Sequence, residues 1–331
     1  MRLVCVSLVL ALAVPSAWTL DHDYRTDGPA PGSIRFKWIS GSICAATNRD
    51  PRIQIITYNE DTYLLRENIA IHYDAPFTYL LMGNAGALLI DTGATPEAGY
   101  YPLRSTVDAL LKRWGDLRGK PDIPLTVVLT SGEYLSQNQG YQQFLKRPNT
   151  KLVPLDLAGM KAFYGLSDSW PTGTGRIDLG GRVITVIPTP GAHKDGVTFY
   201  DAYNGFLHTG HFLFPGRIMI SNDRDYVESM GRLQAFAKQH PVKWVMGGQI
   251  DMKFLPGVEY MRLIRYKPDE RVLQMDASLI DEAMATATRL QGKAEVAVRP
   301  DFVMRNRVGP DERPASRPKD LPRIPDMPRL R

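Results

Sequence analysis

Short runs of β-branched and aromatic residues, interrupted by polar turns, open the central part of the chain. Residues 53–58 (IQIITY), 62–66 (TYLLR), 77–83 (FTYLLMG) and 87–91 (ALLID) each read as a strand, with turn formers such as Asn59-Glu60-Asp61 and Asn84-Ala85-Gly86 between them. The period then changes. Leu103, Val107, Leu110, Leu111 and Trp114 recur at three- and four-residue steps, which predicts an amphipathic helix over 102–114. A strand at 125–129 follows and runs into the polar turn SGEYLSQNQG. The second half repeats this order, with strands at 181–191, 196–201, 205–216 and 242–248. Helices are expected over 225–239, with Val227, Met230, Leu233, Phe236 and Ala237 inward, and over 278–290. Strands in runs, each set flanked by helices, predict an α/β fold in which two sheets pack face to face between helical layers.

Composition adds the ends of the chain to this picture. The 331 residues are 44% apolar and 23% charged, an ordinary globular profile with enough length for a sizeable core. Residues 1–19 carry one arginine, an apolar run over 3–14 and small residues at Ser16 and Ala17, the pattern of a secretory signal peptide. The protein is therefore expected to be exported, periplasmic or secreted, with no membrane attachment once the signal is removed. Cys5 lies in that segment and leaves Cys44 alone, so no intrachain disulfide is possible; Cys44 is expected to be a small buried hydrophobe.

Domain limits follow as an N-terminal extension at 20–52, a folded domain at 53–292 and a tail at 293–331. The net charge of +5 is concentrated in that tail. Residues 299–331 hold nine basic residues, five acidic ones and seven prolines, too little apolar surface to offset the entropy of ordering. The body is electrically balanced, and no nucleic-acid partner is expected. The tail is one candidate route to a protein partner.

Five stretches in order carry a resemblance. FTYLLMGNAGALLIDTGAT (77–95) is similar to the opening hairpin N-x-Y-L…L-I-D-T-G of the metallo-β-lactamase superfamily. LTVVLTSGEYLSQNQGYQQF stands where that family carries H-x-H-x-D-H. VITVIPTPGAHKDGVTFYD resembles its TPGH segment, FLHTGHFLFPG its LLTGDxLYPG segment, and VMGGQI the place of its last histidine. The resemblance covers about residues 53–250 and implies a metallo-β-lactamase-like αβ/βα four-layer sandwich.

The ligand positions depart from the family pattern. With Gly140 and Phe144 fixing the register, the first motif falls on Gly132, Tyr134, Ser136 and Gln137; a one-residue slip puts it on Ser131, Glu133, Leu135 and Ser136. The TPGH histidine becomes Ala192, with His193 beside it; the aspartate of TGD becomes His211; the last histidine becomes Gln249. A dizinc hydrolase needs several imidazoles and carboxylates at about 2.0–2.2 Å from its ions. Glycine and alanine donate nothing, and serine, tyrosine and glutamine are poor zinc ligands. No metal is therefore expected, and Gly132, Glu133, Tyr134, Ser136, Gln137, Ala192, His193, His211 and Gln249 are read as a vestigial pocket for a small polar ligand. Asp91 of the DTG turn is expected to be structural, bonding loop amides as its family counterpart does.

The alternative is a rebuilt mononuclear zinc site from His193, His211 and Glu133 (or Asp91), giving a hydrolase of the ester, lactam or thioester type. Nucleophilic catalysis by Ser131 or Ser136 with His193 as base has no G-x-S-x-G elbow to support it. Nine aromatic residues (Tyr100, Tyr101, Trp114, Tyr134, Phe163, Tyr164, Trp170, Phe212, Phe214) are expected near the pocket mouth.

Overall fold

The computed structural model describes residues 21–25 and 29–307. Four antiparallel strands form first, β1 (Ile53–Asn59), β2 (Thr62–Glu67), β3 (Phe77–Met82) and β4 (Ala87–Ile90). Because β2, β3 and β4 are buried on both faces, β3 and β4 read as nearly continuous apolar runs rather than alternating ones, while β2 also buries Arg66 and Glu67. Helix α1 (Leu103–Arg118) carries the chain across to β5 (Leu125–Val128), which pairs parallel to β4. Its inward stripe Leu103, Val107, Leu111 and Trp114 covers one face of the sheet. The chain continues through the single turn α2 (Leu135–Asn138) to β6 (Thr150–Leu152), completing the order β1-β2-β3-β4-β5-β6.

Beyond α3 (Leu157–Phe163) come β7 (Gly175–Asp178), β8 (Val183–Pro188), β9 (Val197–Asp201), β10 (Phe206–Gly210) and β11 (Arg217–Ile220). Helix α4 (Asp223–Gln239) is capped by the Asn222 side chain, which accepts from the Asp225 amide. Then follow β12 (Trp244–Gly247), β13 (Gln274–Asp276) and α5 (Leu279–Leu290). The second sheet has the order β13-β12-β10-β9-β8-β7. One apolar core joins residues of both sheets with α1, and a second joins the outer face of the second sheet with α4 and α5. The four-layer αββα sandwich expected from the sequence is thus present.

The expected tail from residue 293 meets a correction. β14 (Val296–Val298) and β15 (Val303–Asn306) pair antiparallel, and β15 lies parallel to β11 in a third sheet. Ala297, Phe302, Val303 and Met304 are buried, which anchors this segment although arginine and proline dominate its composition. The rest of the expected tail and the expected signal peptide lie outside the described residues. Among those described, no helix is long and apolar enough to cross a membrane.

Cys44 is a second correction. It is exposed, on a short turn of the N-terminal extension that no core cluster includes. That extension lies along the body through Ser33 N–H to Tyr58 O (2.8 Å) and Ile39 N–H to Gln54 Oε1 (2.8 Å).

Two arginines are fully buried. Arg182 bonds Asp201 through Nη2 (2.5 Å) and Nε (3.2 Å) on the second sheet, and Thr62 Oγ1 (2.9 Å), Asp61 O (2.7 Å) and Met82 O (2.9 Å) on the first. It ties the two sheets together. Arg66 holds Glu270 through two bonds of 2.6 and 2.5 Å and lies over the rings of Trp38 and Phe77, fastening the 253–272 segment to β2.

Candidate functional site

The chain segments that leave β5, β8, β10 and β12 converge on one cavity of about 1620 Å³. They bring Glu133, Tyr134 and Ser136, then Ala192 and His193, then His211, then Gln249 to its wall. Gly132, Gln137 and Asp91 lie outside that wall, and of the nine aromatic residues expected at the mouth only Tyr134 lines it. Most of the other eight are core packing; Tyr100 is exposed.

The turn after β5 is built around a carboxylate. Asp195 accepts from Ser131 Oγ (2.6 Å) and from the amides of Gly132 (2.6 Å) and Glu133 (3.1 Å). Ser136 donates to Asp74. Both hydroxyls are therefore occupied in structural bonds, and neither reaches His193. Beneath them lies Asp91, fully buried and at positive φ, accepting from the Thr130 amide (2.7 Å) and within 2.9 Å of Thr130 Oγ1. The same Oγ1 is 2.7 Å from Gln137 Oε1. One hydroxyl proton cannot serve both oxygens. Burial pushes the Asp91 carboxyl up to about 7 against the pull of the Thr130 bonds, so a proton on Asp91 completes the chain Asp91–Thr130–Gln137.

A carboxyl raised in this way favours the folded state most at low pH, and its contribution is lost as pH rises through about 7. Asp91→Asn, which keeps a neutral acceptor and tolerates positive φ, is expected to change stability by under about 1 kcal/mol at pH 6. Urea denaturation at pH 6 checks this; a much larger loss means that the charged form is the native one.

The floor itself is aromatic. The Tyr134 ring lies 3.8 Å from that of His211, which also stacks on Phe214 at 4.3 Å. His193 is 5.2 Å from Tyr134 and 6.4 Å from His211, ring centre to ring centre. Burial holds His211 down to about 3, helped by His193; burial also lowers His193, against the opposing carboxylates of Asp195 and Glu133. Both imidazoles are neutral at pH 7. Two buried atoms on this floor lack a hydrogen-bond partner, His211 Nε2 and Gln249 Oε1.

These residues do not fit the zinc that the family resemblance brings to mind. Glu133 turns to Lys194 (2.7 Å) instead of the histidines, and Asp91 is held in its buried chain. Gln249 gives its amide to Asp251, whose own pairing with Lys267 (2.8 Å) keeps that carboxyl low although burial alone would raise it. Among the described residues, no group of three His, Cys, Asp or Glu ligand atoms within 4.8 Å of one another contains His193 or His211. The rebuilt His193–His211–Glu133 centre is not assembled.

Sequence reasoning missed the charged half of the wall. Arg217 and Met219 of β11, Arg305 of β15 and Arg307 just beyond it all face the cavity, as do Arg262, Lys267, Asp251 and Glu259. Arg217 is paired with Glu259, and Lys267 with Asp251. Arg305 and Arg307 have no side-chain hydrogen bond or ion pair among the described residues, and Arg305 stands close enough to Arg217 to lower the latter's pKa, after burial. The signal was the i, i+2 spacing of Arg305 and Arg307 next to the apolar pair Val303-Met304, which places both arginines on one face of a strand.

No protein-family model matches the chain, and no curated protein matches it. Solved structures that resemble it include a metallo-beta-lactamase from Pontibacter korlensis, at 16% identity and TM-score 0.45 over 71% of this chain and 99% of that one. The DIM-1 metallo-beta-lactamase exposed to ceftazidime gives 12% and 0.48 over 73% and 99%. A metallo-beta-lactamase from Hirschia baltica gives 12% and 0.42 over 60% and 91%. Likenesses this distant carry no chemistry to this chain; the fold stands on the strand orders and layers described above.

Proposed function

We propose that this chain is an exported, non-hydrolytic ligand-binding protein on a metallo-β-lactamase-type sandwich, and that its cavity takes a small organic anion with an apolar body. The observation that carries the reading is the floor. Where a hydrolytic centre needs converging donors, an aromatic ring covers His211, and the nearby carboxylates are engaged by Thr130, Ser136, Lys194 and Lys267. What stays open to a ligand is a ring surface and two arginines without a carboxylate partner among the described residues. Rings bind an apolar body, guanidinium groups bind carboxylate or phosphate, and a few convergent polar groups fix orientation. At about 1620 Å³ the cavity exceeds the usual range for small ligands, so ordered water accompanies the ligand.

The test uses 1-naphthoate and its neutral amide in equilibrium dialysis. The carboxylate is expected to bind about tenfold more tightly, the equivalent of about 1.4 kcal/mol. Arg305→Ala should abolish that preference and leave amide binding in place. Metal-dependent turnover of ester, lactam, lactone or thioester substrates that disappears in His211→Ala would overturn the non-hydrolytic reading.

A further inference from the structure

Outside the cavity, the turn between β1 and β2 meets the N-terminal extension. His22 is fixed there from several sides. Its N–H donates to Asn84 Oδ1 (2.9 Å) and its carbonyl accepts from Asn84 Nδ2 (2.8 Å). Its ring sits against Tyr24 and Tyr203, with Nε2 3.0 Å from the Tyr203 hydroxyl. That contact leaves Nδ1 facing Glu60 Oε1 and Asp61 Oδ2, each 3.6 Å away. Both separations are too long for a hydrogen bond. Asp61 is fully buried, and its Oδ1 accepts from Trp114 Nε1 (2.7 Å) and Arg118 (3.0 Å), yet Oδ2 has no hydrogen-bond partner.

An orphaned buried carboxylate oxygen aimed at an imidazole nitrogen calls for a cation between them. A shared proton would draw the atoms to about 2.7–3.2 Å. A four-coordinate ion with bonds of about 2.0–2.2 Å keeps its ligands about 3.4 Å apart, close to what is seen. The three ligand atoms all lie within 4.8 Å of one another, and among the described residues they are the one such group.

We propose that His22 Nδ1, Glu60 Oε1 and Asp61 Oδ2 bind one divalent transition ion of the zinc class, with water completing the coordination. The outer contacts suit this role. Tyr203 orients the imidazole, Trp114 and Arg118 hold the far oxygen of Asp61, and Arg118 holds the far oxygen of Glu60 (3.1 Å). With Arg118 counted, the two carboxylates leave one negative charge for the ion. A second cavity of about 550 Å³, lined in part by Glu60, Trp114 and Arg118, lies beside the site on the Glu60 side. The ion clamps the N-terminal extension to the β1–β2 turn and to the end of α1.

The test takes the full chain with a tag free of histidine, strips it with chelator and titrates it with Zn²⁺ by calorimetry and with Co²⁺ by visible absorption. One ion per chain is expected, with the absorption of a low-symmetry Co²⁺ complex and a rise in melting temperature on adding Zn²⁺. His22→Ala and Glu60→Gln should each weaken binding by about tenfold or more and cancel the rise. Glu60 is exposed, so Glu60→Gln removes a ligand without disturbing the core. Absence of a stoichiometric ion, or equal affinity in both variants and the parent, overturns the site. Binding that is lost in His211→Ala instead overturns both this site and the non-hydrolytic reading of the main cavity.

Discussion

Replacing Arg182 by methionine is expected to cost about 3–5 kcal/mol of folding stability, the range for removing one partner of a buried pair. The guanidinium makes five hydrogen bonds and is enclosed between the sheets. Without it, Asp201 keeps only Asn204 Nδ2 (2.8 Å) in a fully buried position, and the Asp61 and Met82 carbonyls lose a donor. The stranded carboxylate, more than any lost attraction, sets the size of the effect. The double variant Arg182→Met with Asp201→Leu should therefore regain part of the loss, since two well-packed apolar side chains leave no charge buried alone. Urea denaturation of the parent, single and double variants measures both numbers. A single-variant loss below about 1 kcal/mol would mean that Asp201 finds water or another donor.

Acidification is expected to destabilise the protein through His208 in particular. The ring is fully buried against Tyr79 (4.4 Å), and neither of its nitrogens has a hydrogen-bond partner. Burial holds its pKa down to about 4, whereas in the unfolded chain it titrates near 6.5. Above pH 6.5 the imidazole is neutral in both states. Below that, the unfolded chain takes up a proton that the native state refuses, so stability falls as pH drops from 6.5 toward 4, by about 3 kcal/mol in all. In His208→Phe this contribution is absent. The gap between parent and variant is expected to move in the variant's favour by about 2 kcal/mol between pH 7 and pH 5. Because the comparison is a slope, packing strain from the slightly larger ring cancels. Parallel pH profiles for the two proteins would show that native His208 takes up its proton as readily as the unfolded chain does.

The framework was legible because its signals are local. Short β-rich runs bounded by turns over 53–91, and apolar steps of three and four residues over 102–114 and 225–239, marked β1 to β4, α1 and α4 to within a few residues. The third sheet was not legible, since a three-residue strand such as Val296–Val298 has no periodicity of its own and is stabilised by pairing with β15. The same limit hid the arginine wall. Arg217 and Arg305 are 88 positions apart and become neighbours only through the parallel pairing of β11 with β15. Positions defined by motif fared unevenly. Tyr134, His193, His211 and Gln249 do meet at one wall, while Gln137 and Asp91 turn inward to Thr130 because a buried amide and carboxyl must find partners.

The parallel pairing of β15 with β11 also bears on how the protein can be cut. A version ending at residue 292, where the apolar periodicity stops, would retain both large sheets and all the helices. It would nonetheless strip β11 of its only neighbour among the described residues and leave a bare apolar margin ready to recruit other copies. Such a fragment, which also loses the buried Phe302 and Met304 from the second core, is expected to be sticky and less stable.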